Sequence, residues 1–215
     1  MTAGAIDLKL SPSVVTAIAK YHMTEMGRTV MNDAMDIHSG KGIQVGPNNY
    51  LAHGYMGIPV SITVEGANIL TRNLMIFGQG ATRCHPFVLK EMEAAAMEDH
   101  DLALKEFDAL LLQHILFAGS NAGMAFVHGL TRSYFAKAPV SGATSVYYKQ
   151  LGRMSRGLAF CTDVAMLVLG GELKRKEMIS ARLGDVLSHL DLASCVLKRY
   201  EDGGRQQADL PFVQY

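Results

Sequence analysis

Glu65 is the first residue whose setting suggests chemistry, because it lies between Val64 and Gly66, with Ile62 close by in a run of apolar and β-branched residues. Such surroundings desolvate a carboxylate and raise its affinity for a proton, as a general base requires. A plainer reading makes Glu65 an acidic side chain near a helix N-terminus, favoured by the macrodipole. The cluster Gly40-Lys41-Gly42-Ile43-Gln44-Val45-Gly46 is the second candidate, since glycines let backbone amides approach a phosphate. Its GxGxxxG spacing follows a helical pattern rather than a strand, and no GK[ST] P-loop is present, so a helix C-cap and loop is the simpler reading. His22, His38, His53 and His85 show neither HxxxH nor HExxH spacing, Cys84-His85 is an isolated pair, and no metal site is expected. No GxSxG elbow appears, and the Ser, Cys and His positions give no legible nucleophilic triad.

The elements that must position these residues read as helices. Ser11-Pro12 marks a start, with Ser at the cap and Pro at the first helical position, and the pattern runs to about Ile37. Gly40, Gly42, Gly46 and Pro47 break it, and Asn48-Asn49 can cap a short helix before the Gly57-Ile58-Pro59 interruption. The β-branched run from Val60 to Gly66 reads as an extended connector into a helix over Asn68–Phe77. His85-Pro86 precedes an acidic stretch, residues 86–110, whose seven carboxylates against two lysines suggest a solvated helix face. Leu104, Phe107, Leu111 and Ile115 begin a long helix to about Phe135, followed by a loop at Pro139, Ser141 and Gly142. Two further helices are expected over roughly 144–170 and 172–200, divided at Gly170-Gly171 and closed by Gly203-Gly204. The apolar run Leu210–Tyr215 reads as an interrupted sequence, because finished termini are usually polar and frayed.

The 215 residues are 49% hydrophobic and 19% charged, with 13 Met and no Trp, which supports a well-buried all-α fold and excludes disorder. Twenty basic residues balance twenty acidic ones, so the surplus that phosphate neutralisation needs is missing and a nucleic-acid partner is not expected. Cys84, Cys161 and Cys195 are odd in number and far apart, which suits a reducing, cytoplasmic compartment better than a disulfide framework. No secretory signal is visible at the N-terminus. The uncharged stretch Ala109–Thr131 could span a bilayer by length, but Gln113, His114, Asn121 and His128 would need partners there. It is expected to be a buried helix of a soluble protein, with peripheral membrane contact left open.

Ala19-Lys20, Asn32-Asp33-Ala34, His38-Ser39-Gly40-Lys41-Gly42-Ile43, and Val64-Glu65-Gly66 through Arg72 form an ordered set. Read together, they resemble the C-terminal helical domain of acyl-CoA dehydrogenases. The bacterial long-chain type with a C-terminal extension is most similar, notably in Gly46-Pro47-Asn48-Asn49-Tyr50 and Ile62-Thr63-Val64-Glu65-Gly66-Ala67-Asn68-Ile69-Leu70-Thr71-Arg72. The resemblance implies an all-α helical bundle, with residues 1–90 ending the dehydrogenase domain and residues 91–215 forming a truncated helical extension. It also implies FAD-dependent oxidation of an acyl-CoA to the trans-2-enoyl-CoA in fatty-acid β-oxidation. A homodimer or tetramer and a separate electron-transfer acceptor would complete the system.

By the same resemblance Glu65 is the base that removes the α-proton, and Glu65 and Gly66 meet the substrate, the Glu65 amide donating to the thioester carbonyl. The segment that in the family touches the FAD of a neighbouring subunit falls on Asp36, Ser39, Gly40 and Gly42. Asp36 replaces the usual Gln, and Ser39 the first Gly. The flavin contacts of the EGTSQ motif fall on Ala67 and Ile69, whose side chains cannot make the hydrogen bonds of Thr and Gln. An Arg-Asp pair that often precedes the glutamate is Met56-Gly57 here. The domains that hold most of the FAD and CoA are not among these residues, so the chain alone is expected to be inactive. An alternative of a different class is a non-catalytic helical module that docks a protein partner or a membrane surface.

Overall fold

A computed structural model describes residues 2–215, and every regular element among them is a helix, as composition and periodicity led us to expect. The chain divides into two compact units, Met1–Ile76 and Phe77–Tyr215. The division falls earlier than the sequence-based one near residue 90, because Phe77 and Ala81 are buried in a core with Leu173, packed by Leu158, Met166, Leu169 and Leu183.

The first unit contains α1 (Thr2–Asp7), α2 (Ser13–His38), a tight 3₁₀ turn at Ser39–Lys41, α3 (Ala52–Thr63) and α4 (Asn68–Leu70). Helix α2 starts one residue later than expected: Pro12 takes the cap position and no side chain caps the helix. Asn49 does cap α3, its Oδ1 accepting from the amides of Leu51 at 2.8 Å and Ala52 at 2.9 Å. The expected interruption at Gly57-Ile58-Pro59 and the extended connector from Val60 do not form, since α3 continues through Pro59 to Thr63. A proline inside a helix removes one amide donor. Hydroxyls nearby satisfy carbonyls around it, Ser61 Oγ donating to Ile58 O at 2.7 Å and Thr63 Oγ1 to Pro59 O at 3.0 Å. Only Val64 at the α3 C-cap takes extended angles. From α4 the backbone widens into a π-helical segment, Thr71–Gln79, within which the two units divide, and it ends in α5 (Gly80–Cys84).

The second unit adds α6 (Val88–Ala95), α7 (His100–Leu130), α8 (Ser145–Leu169), a 3₁₀ turn at Gly170–Lys174, α9 (Glu177–Asp202) and α10 (Leu210–Gln214). The acidic stretch is two helices rather than one, because Asp99 Oδ1 accepts the amides of Asp101 and Leu102, both at 3.1 Å, and caps a new helix there. Helices α8 and α9 fall close to the expected spans, with Gly170 at φ +50° ending α8. Within the chain the Ala109–Thr131 stretch is not buried: Leu112, Ile115, Leu116, Phe126 and Leu130 are exposed, and only Asn121 and His128 of α7 are fully covered. Apolar residues circle this helix, and its neighbours α6 and α8 cover only part of it.

Candidate functional site

Where α3 ends, the chain makes a tight turn into α4 with two successive residues of positive φ, Glu65 at +56° and Gly66 at +93°. Glycine adopts such a φ freely, whereas a glutamate there is strained and must be held by its surroundings. The holding group is Lys20 of α2, whose Nζ donates to Gly66 O at 2.8 Å, to Asn68 Oδ1 at 2.6 Å and to Ile62 O at 3.4 Å. Asn68 is buried, and its amide nitrogen donates to Glu25 Oε1 at 2.7 Å and Thr24 Oγ1 at 2.9 Å, so α2 grips the turn at several points. Glu65 itself is exposed, contrary to the expectation that Ile62 and Val64 would desolvate it, because Val64 is exposed beside it and cannot shield it. Gly66 and Ala67 are half-buried, and Ile69 is exposed.

Asp36, at the other end of α2, is about 24 Å along its axis from Lys20 at the usual rise per residue, and Ser39, Gly40 and Gly42 lie just beyond that end. They therefore do not share a pocket with Glu65. Asp36, Ser39 and Gly40 are exposed, while Gly42 is buried against Met35: a Cβ there would sit 3.2 Å from Met35 Sδ and 3.2 Å from Ser39 O. The loop is shaped from within by Asn49, whose Nδ2 donates to Lys41 O at 2.9 Å, to Gly42 O at 3.0 Å and to Gln44 O. A Cβ at Gly40 would meet nothing within 4 Å. Ala67 and Ile69 carry no side-chain hydrogen-bonding group, so only backbone and apolar contacts are available to a ligand at these positions.

A second constellation, in the unit Phe77–Tyr215, was not legible beforehand. His85 follows α5, Glu91 is on α6, His114 on α7 and Asp163 on α8, with side chains 4%, 14%, 18% and 10% exposed respectively. Asp163 Oδ1 accepts from His85 Nε2 at 2.8 Å and from His114 Nε2 at 3.1 Å, while Glu91 Oε1 accepts from His114 Nδ1 at 2.9 Å. Phe87 stacks on the His114 ring at a centroid distance of 5.4 Å, and Phe117 meets His85 edge-on at 5.9 Å. Ligand-type atoms of His85, His114 and Asp163 lie within 4.8 Å of one another, a spacing a metal ion could use.

The hydrogen bonds favour protons over a metal. His85 Nδ1 faces the amides of Phe87 at 3.2 Å and Val88 at 3.3 Å, both donors, so Nδ1 is the bare nitrogen and Nε2–H points at Asp163. A histidine that binds metal through Nε2 normally donates its other nitrogen's hydrogen to an acceptor, and here that nitrogen accepts instead. Zn²⁺ is therefore expected to leave the melting temperature of the chain unchanged. A bound ligand at a hundred times its Kd would stabilise by about 2.7 kcal/mol, so a rise of several degrees would show that the His85 ring turns over to ligate.

The two histidines titrate in opposite directions. Burial lowers the pKa of His85, with Asp163 offsetting part of the effect. Burial also works against charge on His114, but its hydrogen bonds to Asp163 and Glu91 outweigh that, and its pKa is raised. The stability supplied by His114 is full below the ordinary histidine pKa of 6.5 and is lost as pH rises through its folded value. His85 does the reverse: its contribution is full above 6.5 and is lost as pH falls toward its depressed folded value. Their sum is expected to peak near pH 6.5. Urea midpoints from pH 5 to 8 check this: His114→Gln should flatten the alkaline side of the peak and His85→Gln the acid side.

Two family models match the chain. One described as acyl-CoA dehydrogenase, C-terminal, bacterial type, covers residues 82–215, and one described as acyl-CoA dehydrogenase, C-terminal domain, covers residues 2–77. No solved structure matches it.

Proposed function

The chain belongs to the acyl-CoA dehydrogenase family, and from that premise we propose that it carries the proton-abstracting part of an enzyme that oxidises acyl-CoA to trans-2-enoyl-CoA. The observation that supports this reading is the Glu65-Gly66 turn, a glutamate held at positive φ by Lys20. Among the described residues five other non-glycine residues share a positive φ, so what distinguishes Glu65 is the grip of Lys20 and Asn68 on its turn. Glu65 takes the α-proton of the thioester, and its backbone amide donates to the thioester carbonyl, where negative charge grows as the proton leaves. Exposure of Glu65 within the chain fits a base that is covered only when the acyl chain and flavin lie over it. FAD, when bound, supplies the hydride acceptor. Ala67 and Ile69 offer it backbone and apolar contact beside the base, and the Asp36–Gly42 segment, at the far end of α2, serves the flavin of a neighbouring copy in a dimer or tetramer. A separate electron-transfer protein reoxidises the flavin. The isolated chain, holding a base without its acceptor, is inactive in this reading, and the reaction belongs to fatty-acid β-oxidation.

The test is Glu65→Gln in the flavin-loaded assembly, scored for turnover and for retained flavin. Lost turnover with flavin in place supports the base, and wild-type turnover overturns it.

A second reading rests on the exposed apolar surfaces of the second unit. By length and composition alone, His100–Leu130 and Ser145–Lys174 could each cross a membrane. Spanning would place His114 and Asp163 in hydrocarbon, so surface docking is the form this reading takes. A cytoplasmic location with peripheral membrane contact suits both this exposure and three cysteines without disulfides. Docking would survive Glu65→Gln, which separates the two readings.

A further inference from the structure

We infer that Lys20, seconded by Asn68, is a positioning residue for the Glu65 carboxylate, acting by holding the left-handed turn that presents it. The inference rests on Glu65 as the base. An ammonium group has three hydrogens to donate, and all three of Lys20's find acceptors: Ile62 O, Gly66 O and Asn68 Oδ1. Two of these are backbone carbonyls on either side of Glu65, so a single cation closes the turn around the residue it presents. Ile62 lies in the last turn of α3, where carbonyls lack helical partners and the helix end favours positive charge. Nothing in a lysine's general role as a surface charge calls for this geometry, since its amine reaches 42 to 48 positions along the chain to each acceptor.

Asn68 makes the grip directional. Its Oδ1 accepts from Lys20, and its Nδ2 is tied to Thr24 and Glu25, four and five residues beyond Lys20 on the same helix. The amide therefore cannot swing away from the ammonium without breaking bonds to α2. Thr71 Oγ1 adds a long bond to Gly66 O at 3.5 Å. Against this, the strain at Glu65 favours relaxation to negative φ, which would rotate its side chain away from the presented direction. Removing the cation frees Gly66 O and Ile62 O together, so relaxation at Glu65 is the expected consequence.

Lys20→Met keeps length and apolar stem while removing the charge and all three donors. In the full chain, amide hydrogen exchange over residues 64–68 should quicken by about tenfold or more, as local opening does when its restraints go, while α7 to α9 exchange as before. In the flavin-loaded assembly, kcat should fall by about 10- to 100-fold with KM within about threefold, the signature of misplaced chemistry rather than lost binding. Lys20→Arg, which keeps charge and donors, should recover part of kcat. Asn68→Ala reads the same amides if Lys20→Met does not fold, and should loosen them less. Unchanged exchange in these variants, or a loss carried by KM, would overturn the positioning role. Wild-type turnover in Glu65→Gln alongside a loosened turn in Lys20→Met would instead sink the base assignment and leave the clamp on the turn standing.

Discussion

Glu65→Gln is expected to lower dehydrogenation by about 10²- to 10⁴-fold, the usual contribution of a positioned general base. Glutamine matches the size of glutamate and carries the same backbone penalty at φ +56°, so the turn, the Lys20 contacts and the flavin contacts should persist. What disappears is the lone pair able to take a proton. Glu65→Gly makes the opposite trade. It removes the carboxylate and relieves a left-handed conformation that costs a non-glycine residue roughly 1–2 kcal/mol, less the about 0.5–1 kcal/mol of added chain entropy. A dead enzyme with an unchanged or higher melting temperature is the expected result, and it would show that stability is spent at this turn for the sake of the carboxylate. A Glu65→Gly variant that melts several degrees lower would show instead that the side chain holds the turn.

The all-α fold was legible because helical signals sit on the surface of the sequence: Gly170 closes α8 and Asn49 precedes α3. The errors came where tertiary contacts override local preference. Val60, Ile62 and Thr63 are β-branched and read as extended, yet α3 keeps these residues helical, with hydroxyl groups serving carbonyls near Pro59. Glu65 drew attention because its neighbours were expected to desolvate it, which they do not, and the cation at its turn was not legible, since Lys20 is 45 positions away and an ordinary lysine in a helical pattern. The His85, Glu91, His114 and Asp163 constellation was missed for the same reason, three helices and the loop before α6 contributing one residue each. One signal did exist: Asp163 is the only charged residue between Gly157 and Leu169, and His114 lies in the uncharged Ala109–Thr131 stretch. A polar group isolated on an apolar helix asks for a partner, and these two find each other.

Asp163→Ala should destabilise the chain by about 3–5 kcal/mol, the cost of removing one side of a buried ion pair. Asp163 Oδ1 is the shared acceptor for both histidines, so its loss leaves His85 Nε2–H without a partner in a nearly sealed site and leaves Glu91 as the remaining carboxylate against the His114 charge. Helix α8 then loses its polar tie to α7 and to the loop before α6 in one step. Asp163→Asn keeps the volume and one carbonyl acceptor, and should cost less, about 1–3 kcal/mol. Asp163 Oδ2 is buried with no protein hydrogen-bond partner among the described residues. Replacing the whole group with apolar residues, as in His85→Leu, Glu91→Leu, His114→Leu and Asp163→Leu together, should be milder than Asp163→Ala alone, because no charge is left stranded. Urea denaturation of the three variants orders them. If the quadruple substitution proved the most damaging, the network would be contributing more than the sum of its buried charges, and its hydrogen bonds rather than its packing would be what holds α7 and α8 together.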